Sequence, residues 1–291
     1  MRARAAVLLL AVGTMCMLMS GCESSQPAKK ARTTTTTAAT REASAPSVPD
    51  SPDSEKPLPG PGQNHRAVAF RKWGLEPLPA PPTPPQAKPV KLALGSVPVI
   101  RDIPVKDKVV FLTFDDGAEK DPEFLRMMRE LRVPFTMFLT DAAIRNGYPY
   151  FKPLQSLGNS IQNHTLTHPD LLTLSYPAQV NEICGQQRRL NEEYATSPRL
   201  FRPPYGNWNE DTRAAAKTCG IEAIVLWRET MQIANMRYQR GDGKLHPGDI
   251  ILAHFRGPEE LRGTTLTEMT LTMLRRIQEQ GFTVARLDDY L

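Results

Sequence analysis

Thr113-Phe114-Asp115-Asp116-Gly117 sets two adjacent carboxylates at the end of the apolar run Val109-Val110-Phe111-Leu112. Further along, His164-Thr165-Leu166-Thr167-His168 sets two imidazoles four positions apart. One carboxylate with two histidines is a common open ligand set for a catalytic divalent metal, with one position left for water. The second carboxylate is then free to act as a base. Carboxylates stacked at the end of a buried strand need a partner for their charge, so the doublet marks a site. Two further polar positions follow. Arg202 heads Arg202-Pro203-Pro204-Tyr205-Gly206, and His254 closes Leu252-Ala253-His254.

These residues need a scaffold, and from Lys106 onward the chain alternates strand and helix patterns. Val109 to Phe114 reads as a buried strand, and Pro122 to Leu131 as a helix capped by Asp121. Strands follow at Phe135 to Leu139, from Ile161 into His164, at Arg199 to Arg202, at Ile221 to Trp227, at Ile250 to His254 and at Phe282 to Leu287. Helices are expected at Ala178 to Tyr194, Asp211 to Thr218 and Thr267 to Glu279. Repeated βα units imply an α/β fold with a parallel sheet, either open or closed into a barrel. Asp115-Asp116, His164, Arg202 and His254 all fall at C-terminal strand ends, where barrels and open α/β sheets alike build their sites.

The rest of the chain differs in texture. Of its 27 prolines, 16 precede Lys106. Residues 1–105 carry 13 Lys+Arg against 7 Asp+Glu, a charge of +6, whereas residues 106–291 carry 23 against 24, a charge of −1. The basic pI therefore belongs to the N-terminal segment and suits an anionic envelope surface. No basic stripe interleaved with aromatics lies beyond Lys106, which argues against a nucleic-acid partner. Arg2 and Arg4 ahead of the apolar stretch Ala5 to Met19 read as an export signal over residues 1–21. Leu18-Met19-Ser20-Gly21-Cys22 resembles a bacterial lipoprotein signal, so Cys22 is expected to be lipidated and to tether the chain to the membrane outside the cytoplasm. Plain secretion is the alternative. Residues 22–105 read as a disordered linker rich in Pro, Ala and Thr. Its one richer patch, His65-Arg66 to Trp73-Gly74, is a candidate for a short element docking on the domain. Of the four cysteines, Cys184 and Cys219 fall in the expected domain, and both a disulfide and two buried thiols are open.

Together the four motifs resemble those of the NodB-homology polysaccharide deacetylases, carbohydrate esterase family 4, over roughly Lys108 to Leu291. The resemblance implies a distorted (β/α) barrel of about seven parallel strands over residues 106–291. It implies that Asp116, His164 and His168 hold a divalent metal, usually Zn2+, with Co2+ another option. Asp115 would be the general base, oriented and kept ionised by Arg202. The Tyr205 backbone N–H would stabilise the oxyanion, and His254 would protonate the leaving amine. The implied substrate is an N-acetylated polysaccharide, with peptidoglycan first and chitin-like polymers next. Trp208 and Trp227 are candidates to stack on sugar rings, Trp208 the better placed, and Tyr205 is a further substrate contact.

One departure stands out. The family's Asp-plus-Trp motif, which tunes the final histidine, is absent from Leu226-Trp227-Arg228-Glu229-Thr230-Met231, and Phe255 stands where an aspartate often follows that histidine. Glu229 is the candidate substitute, while strand alternation points Asp249 away from His254. His246 reads as a solvated turn residue. The altered motif leaves a second class open, a glycan-binding surface protein on a retired enzyme scaffold. Hydrolysis of another small amide is a third.

Overall fold

The computed structural model describes residues 61–92 and 96–291. Along them run α1 (Pro61–Lys72), β1 (Val99–Ile100), β2 (Val109–Asp116), α2 (Pro122–Leu131), β3 (Thr136–Leu139), α3 (Asp141–Ile144), α4 (Phe151–Ser156), β4 (Ser160–Asn163) and α5 (Tyr176–Tyr194). There follow β5 (Leu200–Phe201), α6 (Glu210–Thr218), β6 (Ala223–Val225), β7 (Glu229–Met231), β8 (Met236–Tyr238), β9 (Ile250–His254), α7 (Leu266–Glu279) and β10 (Thr283–Val284). Asp121 caps α2 as its sequence suggests, its side chain accepting from the Glu123 N–H at 2.8 Å.

The strands lie in the order β1-β6-β5-β4-β3-β2-β9-β7-β8, with β10 beside the start of β2. The pairings are parallel except that of β8 on β7, a short hairpin that the sequence patterns do not reveal. The sheet curls until the chain after β1 meets the chain before β9 through an isolated bridge between Asp102 and Asp249. This is the distorted barrel of the expected fold class.

Side-chain alternation sorts the strands into two faces. Val109 and Phe111 of β2, Phe138 of β3, Leu200 of β5, Val225 of β6 and Ile250 of β9 share one apolar cluster, the inner face. Val110, Leu112 and Phe114, with Met137, Leu139, Ile251 and Ala253, pack on the other face against the helices through Phe124, Met127, Met273 and Leu274. Continuing the inner parity upward places Thr113 and then Asp115 on β2, Arg202 just past β5, and His254 on β9. The inner face therefore changes from apolar to polar within one layer, at the C-terminal strand ends.

The linker expected over residues 22–105 needs correction. Phe70, on α1, is fully buried in the main core, and Leu75 and Leu78 follow it there. Trp73 Nε1 donates to Glu130 Oε2 at 2.8 Å, and Thr283 Oγ1 donates to the Pro79 carbonyl at 2.5 Å. Strand β1 pairs with β6. The patch from His65 to Gly74 thus docks as suspected, and the folded part begins well before residue 106. The expected signal, Cys22 and the remainder up to residue 60 lie outside the described residues. Cys184 on α5 and Cys219 at the end of α6 are joined as a disulfide, with their Cα atoms 4.9 Å apart.

Candidate active site

Adjacent residues on a strand face opposite ways, so Asp115 and Asp116 can share a site only if the backbone departs from β geometry. It does so: Asp116 takes a left-handed φ of 71°. Gly117 follows with a φ of 93°, where a Cβ would strike Ile144 Cγ2 at 2.4 Å. Thr165 (67°), His168 (61°) and Tyr205 (60°) are left-handed as well. Four non-glycine residues in this costly region ring one spot, the pattern of strain held at a functional site.

At that spot Asp116 Oδ1 lies 3.4 Å from His164 Nε2 and 3.3 Å from His168 Nε2. Asp116 Oδ1 is buried and has no hydrogen-bond partner. One ligand atom from each of the three residues falls within 4.8 Å of the others. The His164 Nδ1 lies 2.7 Å from the Arg202 carbonyl. Nδ1–H therefore donates there, and Nε2 is left as a lone-pair donor facing Asp116. An orphaned carboxylate oxygen opposite two imidazole nitrogens fits a divalent cation, and the Asp/His/His donor set suits zinc-like ions. Burial opposes ionisation of Asp116, but His164 and His168 outweigh it and hold its carboxyl far below the usual range. On His164 burial pulls the other way, and the nearby Asp115 and Asp116 override it, raising its affinity for positive charge.

The loop carrying the histidines is fastened by residues with no local sequence signal. Glu182 on α5 accepts from the Leu166 N–H at 3.0 Å, the Thr167 N–H at 2.8 Å and the Thr167 hydroxyl at 2.8 Å. Asn163 Oδ1 accepts from the Thr165 N–H, and Thr165 Oγ1 accepts from the His168 N–H.

Arg202 is fully buried, and every arm of its guanidinium is engaged. Nη1 donates to Asp115 Oδ1 at 2.7 Å and to Thr113 Oγ1 at 2.8 Å. Nε donates to the Val225 carbonyl at 2.9 Å and Nη2 to the Leu226 carbonyl at 3.2 Å, while the Phe138 ring lies 4.2 Å from Cζ. Asp115 is thus held by one cation on its Oδ1 side, while its Oδ2 lies 3.7 Å from His164 Nε2. His254 is the register partner of Asp115 across the β2–β9 ladder, so the two side chains emerge side by side. Burial pushes the His254 imidazole down, against the pull of Asp115 and Asp116.

Tyr205 sits in a single turn, Pro204–Gly206; the residue is 65% exposed, and its ring is centred 5.0 Å from that of His168. Trp227 packs beneath Gly206, where a Cβ would meet Cη2 at 2.9 Å, and its ring lies 5.5 Å from the Arg202 guanidinium. Trp208 is half-buried against the cluster of Phe201, Ala215 and Leu226.

The expectation that Glu229 tunes His254 fails. Glu229 pairs with Ile251, three residues before His254 and on the opposite face. It is buried beside Asp249, and burial together with a shared hydrogen bond raises its pKa to about 8. Glu229, Asp249 and His246 also bring ligand-type atoms within 4.8 Å of one another. Arg240 already fills that position, with Nη1 2.5 Å from Asp249 Oδ1 and 3.4 Å from both Glu229 Oε1 and His246 Nδ1. A guanidinium occupies the place a cation would take. His246 sits at the edge of this cluster, its backbone N–H donating to Asp249 Oδ2 at 2.7 Å while its side chain stays partly exposed.

Comparison with known proteins agrees with the geometry. The family profile described as polysaccharide deacetylase matches residues 102–224. An uncharacterised protein of Streptomyces coelicolor is 44% identical over 195 residues, 67% of this chain and 77% of that protein. A chitooligosaccharide deacetylase of Bradyrhizobium is 29% identical over 191 residues, 60% of this chain and 87% of that one. The peptidoglycan-N-acetylmuramic acid deacetylase PdaA of Bacillus subtilis is 27% identical over 198 residues, 64% of this chain and 72% of its own. The solved structure of PdaA superposes with a TM-score of 0.53 at 24% identity, covering 66% of this chain and 84% of that one. The chain belongs to the NodB-homology polysaccharide deacetylases of carbohydrate esterase family 4, and it is a polysaccharide deacetylase.

Proposed function

We propose that this enzyme is a metal-dependent hydrolase that removes N-acetyl groups from the amino sugars of an envelope polysaccharide, with peptidoglycan the first candidate and chitin-like polymers the second. The observation that carries this reading is the meeting, at one mouth, of Asp116, His164 and His168 with the Asp115 carboxyl and the His254 imidazole. Asp116, His164 and His168 would hold the metal, Zn2+ in first place and Co2+ as the alternative. When bound, such an ion polarises a carbonyl and acidifies a coordinated water. Asp115, with Arg202 beside it, is placed to take the proton of the attacking water. The water oxygen joins the acetyl carbon, the C–N bond breaks, and His254 gives its proton to the departing nitrogen. Acetate and a free amine result. The Tyr205 backbone N–H would steady the developing oxyanion. The exposed Tyr205 ring and the Trp208 indole would contact the sugar. The basic N-terminal segment and the lipoprotein-like stretch ending at Cys22 support a site of action outside the cytoplasm, on the membrane.

A glycan-binding role on a retired scaffold would need neither base nor acid, and the presence of Asp115, Arg202 and His254 side by side argues against it. The test is acetate release by the full chain from N-acetylated glycans. Release should cease after chelation and return with Zn2+ or Co2+, and Asp116→Asn should lose metal when it is measured by mass spectrometry. No release from any such glycan, in protein that retains metal, would refute the reading.

A further inference from the structure

Beside His254 lies a groove of about 320 Å³ that the chemistry above leaves unused. It runs between the β7–β8 hairpin, the end of β9 and the start of α7. Strand alternation builds one wall. Phe255 turns into the aromatic core, with its ring 5.4 Å from Phe114 and 5.5 Å from Phe151, so Arg256 emerges on the same side as His254. The substitution that removes an aspartate after the histidine thus accompanies a cation two residues beyond it.

The floor is apolar, formed by the buried Met231, Leu261 and Met269, with Ile233 at its edge. The rim carries Arg256, Arg262 and Glu260. Neither guanidinium donates a side-chain hydrogen bond among the described residues, and the nearest ion-pair contact, Arg256 Nε to Glu260 Oε1, is 3.9 Å, too long for one. Two cations against one carboxylate leave a net charge of about +1 over an apolar floor. Both guanidiniums are open to solvent on the rim, and the hydroxyls of a neutral sugar would add no opposite charge to them. A monoanion on a short apolar stem would satisfy it, because a carboxylate matches the guanidinium fork and the stem covers the methionines. The volume, near the lower end for small-molecule pockets, suits a substituent better than a whole second chain.

We infer that this groove seats a carboxylate borne by the substrate on or next to the sugar being deacetylated, so that the enzyme prefers an acidic amino-sugar polymer to a neutral one. The inference rests on the deacetylase reading above and names its substrate class. Arg256 is the principal specificity determinant and Arg262 the second.

The test compares three substrates with the metal-loaded full chain. They are an N-acetylated oligosaccharide bearing lactyl carboxylates, its methyl ester, and a neutral chitooligosaccharide. The expected kcat/KM for the acid exceeds that for the ester about tenfold, mostly through KM. Arg256→Gln should bring that ratio to within about twofold, and Arg256→Lys should keep part of it. In parallel, isothermal titration of the acid and ester forms into Asp115→Asn protein should show the same preference without turnover. Equal kcat/KM for acid and ester in the wild type, or a ratio indifferent to both Arg256→Gln and Arg262→Gln, would overturn the inference while leaving the deacetylase intact. Release from none of the three would overturn the deacetylase reading itself, and this inference with it.

Discussion

Replacing Glu229 by glutamine separates a structural role for this residue from a catalytic one. In the folded protein its pKa is raised to about 8 from an ordinary value of 4.5, first by burial and then by the hydrogen bond and charge of Asp249. The native state therefore holds a proton that the unfolded chain has already released across this window. Its stabilising contribution is complete below about pH 4.5 and is lost as the pH rises through about 8. At about 1.4 kcal/mol per pKa unit the full swing would be about 5 kcal/mol. Part of that is screened, since Arg240, which reaches both Glu229 and Asp249, is itself 29% exposed. A loss of about 2 kcal/mol between pH 5 and pH 9 is the expected size, shared by the pair rather than owned by one group.

Glu229→Gln keeps an acceptor for the Gln239 N–H and a donor for Asp249, so near pH 5 it should match the wild type within about 1 kcal/mol. At pH 9 it should be the more stable by about 2 kcal/mol, visible as a higher urea midpoint and a Tm higher by about 4–8 °C for a domain of this size. The pH–rate profile should keep its alkaline limb, because Glu229 faces away from His254. If the stability slope were unchanged and the alkaline limb moved instead, Glu229 would be tuning the acid, and the face assignment would be wrong.

Three further outcomes follow from the site and its supports. Arg202→Met leaves Asp115 buried without its cation and should cost about 3–5 kcal/mol in denaturant unfolding; Arg202→Lys, which keeps the charge but loses the fork, should fall between. A change under about 1 kcal/mol in both would mean the pair does not hold the base. Glu182→Ala frees the loop bearing His164 and His168 and should weaken metal binding about 10- to 100-fold by equilibrium dialysis, with α5 still formed by circular dichroism; unchanged affinity would show that the loop is fixed elsewhere. Removing the Cys184–Cys219 disulfide, which spans 35 residues, by paired serine substitution should cost about 3–4 kcal/mol, read from the urea midpoint.

What the residue pattern could and could not reveal follows from the range of the forces involved. The ends of β2, β4, β5 and β9 were legible because an apolar run closing on Asp115, His164, Arg202 or His254 is a local anomaly that only a site explains. Helix α2 was legible for a similar reason, since Asp121, a proline in the first turn and a 3.6-residue apolar period all lie within one short window. The β7–β8 hairpin left no such trace. Its strands are three residues each and only β7 pairs with β9, so the face of Glu229 follows from its pairing with Ile251 and not from its own sequence. Residues 61–92 carry a disordered composition overall, yet three apolar side chains at Phe70, Leu75 and Leu78 suffice to dock that stretch once a preformed surface exists to receive them. Glu182 was invisible for the opposite reason. Its helix position is unexceptional, and its importance lies in the Leu166 and Thr167 groups of a loop that is close in space and distant in sequence. The motif residues thus announce the chemistry, while the groups that hold the motif in place are chosen by contacts distant in sequence. Variation among relatives with the same four motifs should therefore fall at positions such as Arg256 and the β7–β8 hairpin, where substrate choice can change without touching the reacting groups.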